Sequence, residues 1–188
     1  MSDFFDPEPA LEALRALGGD IGRLRWFAEL GAPMDRAARA LARQYAAALG
    51  FPEAELAQIP DWAEAELVAV NPDWNTPSWE AEEQLRASLT ATALERITDD
   101  MLTATLDHIA AIAAQVIPDA AGDAAAFDEV TDEALIRAAA GAAIQACHHK
   151  ALCLLAGAGP EHPFGLRFAL FAAGRWPICI AGGSFHVF

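Results

Sequence analysis

Cys147, His148, His149, Cys153, Cys179 and His186, all within the final 42 positions, have side chains able to ligate a metal or to act as nucleophile and base. Two ligands of one ion must share a face. On a helix His149 and Cys153, four residues apart, do so, whereas Cys147 and Cys153 point about 240° apart. His149, Cys153, Cys179 and His186 together have the donor types of a tetrahedral zinc site, if a C-terminal hairpin packs on that helix face. No CxxC, HxxxH or HExxH spacing accompanies them, and a buried cysteine is commonly just a small hydrophobe. No metal or other cofactor is therefore expected, and these four residues stand as a candidate pocket.

Other chemistries fare less well. Adjacent Cys147 and His148 diverge by about 100° on a helix and cannot form a dyad. A Cys179–His186 pair across a hairpin is better placed for thiolate–imidazole chemistry, provided a third group orients the histidine. A di-iron bundle needs Glu-x-x-His on inward faces, but Thr105, Gln145 and Ala146 precede His108, His148 and His149 by three. Gly157-Ala158-Gly159 follows a helix rather than a strand and lacks the third glycine of a dinucleotide loop. No catalytic residue is assigned.

The element that must position this cluster is one long central helix over Asp132–Ala156. Thr131 is its expected N-cap, and Gly157 and Gly159 close it. Its apolar residues point almost all round the axis, which predicts burial on most sides. Before it, Pro77 opens a helix to about Ile97, with Leu85 and Leu89 inward and Glu82 paired outside with Arg86. Thr98 caps another, with a stripe of Leu102, Leu106, Ile109, Ala113 and Val116, ending at Ile117-Pro118. Asp119–Ala126 reads as a loop. After the central helix, Leu166–Phe171 fits a strand or a helical turn. Ile178–Ala181 and Ser184–Phe188 flank Gly182-Gly183 as a hairpin, with Ile180 facing Phe185, Ile178 facing Val187 and Cys179 opposite His186.

Residues 1–50 read as three short helices: Asp6-capped and Pro7-opened to Leu17, Asp20 to Leu30, and Pro33 to Leu49, with stops at Gly18-Gly19, Gly31 and Gly50. On the third, Met34, Ala37, Leu41 and Ala48 give a thin apolar face. Arg36, Arg39 and Arg43 form a basic stripe expected to lie against the acidic middle of the chain. Residues 51–79 are a Trp/Pro-rich connection with a short helix before Ile59-Pro60 and another over Asp61–Val70. Its tryptophans Trp62, Trp74 and Trp79 either pin the connection to the core or serve as a candidate interface.

The chain has 188 residues, 54% of them hydrophobic, and suits one domain with its own core. Its formal charge of −15 is uneven: residues 1–51 net −1, residues 52–133 net −17 and residues 134–188 net +3. That balance opposes nucleic-acid binding and permits a basic protein partner. One lysine among 12 basic residues fits the compositional bias of a high-salt or high-GC bacterial chain. Three cysteines without a CxxC fit a reducing cytoplasm. No membrane span is expected, because Gln145, His148, His149 and Lys150 break the richest apolar stretch, and Met1–Pro9 lacks the apolar core of a signal peptide.

The predicted architecture is mainly α: a single domain (1–188) with a helical bundle around one long buried central helix and a small C-terminal β-hairpin. Short N-terminal helices occupy 1–50, three long helices 77–156 and the hairpin region 164–188. The expected function is that of a non-enzymatic, acidic cytoplasmic protein acting through protein–protein interaction, as an adaptor, regulator or immunity-type inhibitor. The alternative is an enzyme, or a small-ligand or metal-binding protein, with a pocket between central helix and hairpin. A third is a structural homo-oligomer pairing through the hairpin edge that ends at Phe188.

Overall fold

A computed structural model describes residues 8–69 and 76–188. Asp6, Pro7 and Trp74 lie outside the described residues. Seven helices and three strands follow in the order α1 (Glu8–Ile21), α2 (Arg36–Ala48), β1 (Glu55–Gln58), α3 (Trp62–Ala69), α4 (Pro77–Leu94), α5 (Asp99–Phe127), α6 (Glu133–Ala156), α7 (Pro163–Ala172), β2 (Pro177–Ala181) and β3 (Ser184–Val187). The mainly helical bundle with a small sheet is as expected.

Helix α6 is the hub. Asp132, not Thr131, caps it, its carboxylate accepting from the Ala134 and Leu135 N–H groups, and Gly157 closes it at φ 69°. Small residues on its inner faces (Ala139, Ala140, Ala143, Ala146) let α5, α1 and α4 pack close, and α7 lies against its second half, where Phe164 stacks on His149. A short connection makes α5 its antiparallel neighbour.

Helix α5 differs from expectation. Thr98 caps it as predicted, its hydroxyl accepting from Met101 N–H, but the helix runs through Pro118 to Phe127. Two features offset the missing proline donor. Pro118 itself is exposed, and Ile117, Ala121 and Ala125 continue the buried i, i+4 stripe. The predicted loop over Asp119–Ala126 is therefore helix. Among the described residues, α5 alone is long and apolar enough by composition to cross a bilayer. Here it packs along α6 and α1.

The N-terminal region holds two helices where three were expected. Gly18-Gly19 does not stop α1, which continues to Ile21, and residues 22–35 form turns instead of a helix. Buried Arg175 pins that segment by donating to the Ala32 and Pro33 carbonyls. Gly31, at φ 68°, lies so close to the Pro60 carbonyl that no side chain would fit. On α2 the buried face is Ala42, Tyr45 and Ala46, and Ala37 and Ala48 are exposed. Arg36, Arg39 and Arg43 face solvent, and no ion pair among the described residues engages them.

The connection also holds a strand where a helix was expected: β1 pairs in parallel with β3, so the sheet order is β1-β3-β2. The hairpin turn and the Cys179–His186 and Ile180–Phe185 pairings are as predicted. A bulge after Pro177 shifts the next pairing, so Val187 meets Pro177 rather than Ile178. Because β1 covers β3, the strand edge leading to Phe188 is already paired. Leu166–Phe171 belongs to α7, which His162 caps and Pro163 opens.

Two apolar clusters result. A large one surrounds α6. A smaller one, with Met34, Tyr45, Leu49, Leu170, Ile180, Phe185 and Val187, lies between the sheet, α2 and α7.

Candidate functional site

The side chains singled out for chemistry fall into separate environments. His149 is 3% exposed, and its ring stacks on Phe164 of α7 at 4.1 Å and 20°. Burial, then the positive charges of Arg167, His148, Arg86 and His162, push its pKa down to about 3. Its Nδ1 has no hydrogen-bond partner. The imidazole is therefore neutral at any ordinary pH and behaves as an aromatic core residue.

Cys153 lies on the same stripe but faces His162, with Sγ 3.4 Å from the imidazole Nδ1. That nitrogen already accepts from the Phe164 N–H at 3.2 Å, as the cap of α7. It is thus the unprotonated nitrogen, and the thiol must be the donor. Burial pushes the Cys153 thiol up to about 11 despite Lys150 nearby, and the Cys147 thiol up to about 12. Neither is poised as a thiolate nucleophile.

Cys179 and His186 stand opposite each other across the hairpin, as the register predicted. Yet no hydrogen bond among the described residues joins them, and His186 Nδ1 has no partner to orient the ring. Burial raises the Cys179 thiol and lowers the His186 imidazole, the latter against the opposing pull of Glu64. Those shifts favour the neutral pair over thiolate and imidazolium. Among the described residues, no three His, Cys, Asp or Glu side chains come together in a way that could hold a metal ion.

Thiol labelling of the native protein checks this arrangement. Cys147 and Cys153 should react only as fast as the fold opens, and Cys179, half-buried, should react ahead of them. Fast labelling of Cys153 would mean that a reactive thiolate exists after all.

A buried ion-pair clamp escaped the sequence reading. Glu82 does not pair with Arg86 outside; Glu83 does, at 2.7 Å. Glu82 turns inward, where Tyr45 donates to its Oε1 at 2.6 Å and Arg167 to its Oε2 at 2.7 Å. One carboxylate thereby ties α2, α4 and α7 together. Burial and the Glu82 charge raise the Tyr45 hydroxyl well above its ordinary value, while Glu82 and Tyr45 hold the Arg167 guanidinium charged against its burial. Adjacent glutamates on a helix differ by only about 100°, so the pattern alone could not say which one faces in.

The tryptophans divide. Trp62 is buried against Trp176 and Phe188 with ring centroids at 6.2 and 5.3 Å, so it pins α3 to the core. Trp79, in the first turn of α4, is partly exposed. Beside it, Ser78 donates to the Ile180 carbonyl at 2.9 Å and fastens α4 to the hairpin.

A cleft and an acidic surface are open to solvent. The cleft, about 550 Å³, lies between α1 and α5 and is walled by Leu11, Leu14, Ile109 and Ile112 over Gly18 and Gly19. Most carboxylates between residues 53 and 133 are exposed, the inward Glu82 excepted. Comparison of the chain with protein-family models, with curated proteins and with solved structures gave no match.

Proposed function

We propose that this protein acts by binding a basic protein partner rather than by catalysis, as an adaptor, regulator or inhibitor. The observation that carries this reading is a set of exposed apolar side chains, each flanked by carboxylates. Phe127 is 88% exposed beside Asp123, Asp128 and Glu129; Leu67 is 75% exposed beside Glu64 and Glu66; Leu94 and Met101, at 43% and 46%, bracket Glu95, Asp99 and Asp100. Interfaces are anchored by a few large side chains that the partner takes out of water. A rim of one sign steers a partner of the other and sets its orientation. Three free cysteines suit a reducing, cytoplasmic setting.

The alternative, a reactive or ligand-holding pocket between α6 and the hairpin, has less behind it. Its thiols are held protonated, His149 is held neutral, and the Cys179–His186 pair lacks an orienting group. Self-association through the strand edge leading to Phe188 loses its main support, because β1 occupies that edge.

The test is affinity capture from the source cell by the immobilised protein, alongside Phe127→Glu and Leu94→Glu/Met101→Glu variants that fold normally. One basic protein should be retained at low ionic strength, released at high ionic strength, and lost with at least one variant. Retention indifferent to both salt and these substitutions would sink the proposal.

A further inference from the structure

We infer that the cleft between α1 and α5 is a binding site for a free amphiphilic carboxylate, an apolar chain bearing one anionic head. Its volume of about 550 Å³ falls in the range of small-molecule sites. At about 30 Å³ for each water-sized group, it suits a chain of roughly ten to sixteen carbons. The walls suit such a chain: Leu11 and Leu14 come from α1, Ile109 and Ile112 from α5. The floor is open because Gly18 and Gly19 carry no side chains, and a Cβ on Gly18 would press Ile112 at 3.2 Å. Their pairing predicts a helix stop, but α1 runs through them. Their effect is room, not termination.

Charge selects the head group. Arg15 is the only formally charged side chain lining the cleft, and among the described residues no ion pair or hydrogen bond engages it. Thr105 and His108 stand on the α5 side and can donate further hydrogen bonds. Arg36, Arg39 and Arg43 are also without an ion pair among the described residues, but of these four only Arg15 stands on the lip of the apolar cleft. Its guanidinium matches a carboxylate and mismatches an ammonium. The net charge of −15 sets the protein against an anionic bilayer, so the ligand is a free molecule rather than a membrane lipid. This site is independent of the carboxylate-flanked anchors, and either can fail without the other.

The experiment is calorimetric titration of the intact protein with dodecanoate below its micellar concentration, with dodecanol and dodecylammonium as neutral and cationic controls. Dodecanoate should bind saturably at one site, more tightly than dodecanol, and dodecylammonium weakest. Arg15→Gln should weaken dodecanoate by about tenfold and leave dodecanol unchanged, the size expected for losing one charge-assisted contact. Gly18→Leu should abolish binding of both by filling the floor. Should that variant misfold by circular dichroism, Thr105→Phe blocks the cleft from the α5 side and should do the same.

Several results would overturn the assignment: no saturable binding, an Arg15→Gln effect equal for dodecanoate and dodecanol, or dodecylammonium binding as tightly as dodecanoate. So would heat evolved only with anionic vesicles, or a dimer in solution that hides the cleft.

Discussion

Replacing Arg167 with alanine should destabilise the fold by roughly 3 kcal/mol, read as a lowered urea midpoint at unchanged slope. Removing one partner of a buried pair strands the other, a loss of about 3–5 kcal/mol where both are fully desolvated. Arg167 is only 8% exposed, but Glu82 keeps 20% of its side chain in water, so the lower end of that range applies. Tyr45 would go on donating to Glu82, which softens the loss further. The paired substitution Arg167→Met/Glu82→Gln should recover most of the deficit, since it leaves no uncompensated charge. Additive costs in the double variant, or a single-variant loss under about 1 kcal/mol, would show that the clamp contributes little. The intact clamp also weakens in strong alkali: Tyr45 is raised above 10.0, so its contribution is complete below pH 10 and is lost as pH rises further.

Stability should form a plateau between about pH 6.5 and 9, with losses on both sides set by core residues rather than by surface carboxylates. On the acid side, unfolded His149 takes up a proton near pH 6.5 whereas the folded form resists until about 3. Its contribution is therefore whole above pH 6.5 and drains away as pH falls through that interval, by roughly 4–5 kcal/mol in total. His148, His162 and His186 are also lowered and act with the same sign. On the alkaline side, unfolded thiols ionise near 9.0 whereas Cys147 and Cys153 hold their protons to about 12 and 11. Their contributions are complete below pH 9 and decline above it. His149→Leu should flatten the acid limb while leaving stability at neutral pH equal or higher, because it also removes the unpartnered Nδ1. Denaturant melts from pH 4 to 10 test this, and an unchanged acid limb in that variant would place the linkage elsewhere.

Where local and tertiary signals agree, the fold was legible in the sequence. Helix α6 with its αL glycine, the Thr98 cap, Pro77 at the start of α4 and the Gly182-Gly183 hairpin with Cys179 opposite His186 all follow from capping and turn chemistry. Three elements were not legible, each because packing overrode a local preference. Glu55–Gln58 is helix-prone in composition and becomes strand by pairing with β3. Pro118 signals a stop, yet Ala121 and Ala125 extend the buried stripe past it. Gly18-Gly19 signals a break, but α1 is held against α5 and α6.

Legibility of the candidate site was poorer. Helical spacing did place His149 and Cys153 on one stripe. Spacing could not show that their neighbours would be Phe164 and His162 of α7, which keep both side chains neutral. Nor could it reveal the cleft, whose walls lie about ninety residues apart in sequence, or the clamp, whose three members sit on separate helices. Such sites are defined by which helices meet, and helical periodicity describes one helix at a time.

Pairing of β1 with β3 joins Glu55 to Ser184. The centre of the sheet thus requires two segments 129 positions apart to find each other, although α5 and α6 can zip through a short connection. Contacts so remote in sequence carry a heavy loop-closure cost and form late. Refolding should therefore begin with the α5–α6 hairpin and finish at the sheet. Until then Ile180, Phe185 and Val187 would be in water, giving the nearly folded chain a hydrophobic strand ready to pair with another copy. Crowded refolding, more than heat, is where this architecture is vulnerable.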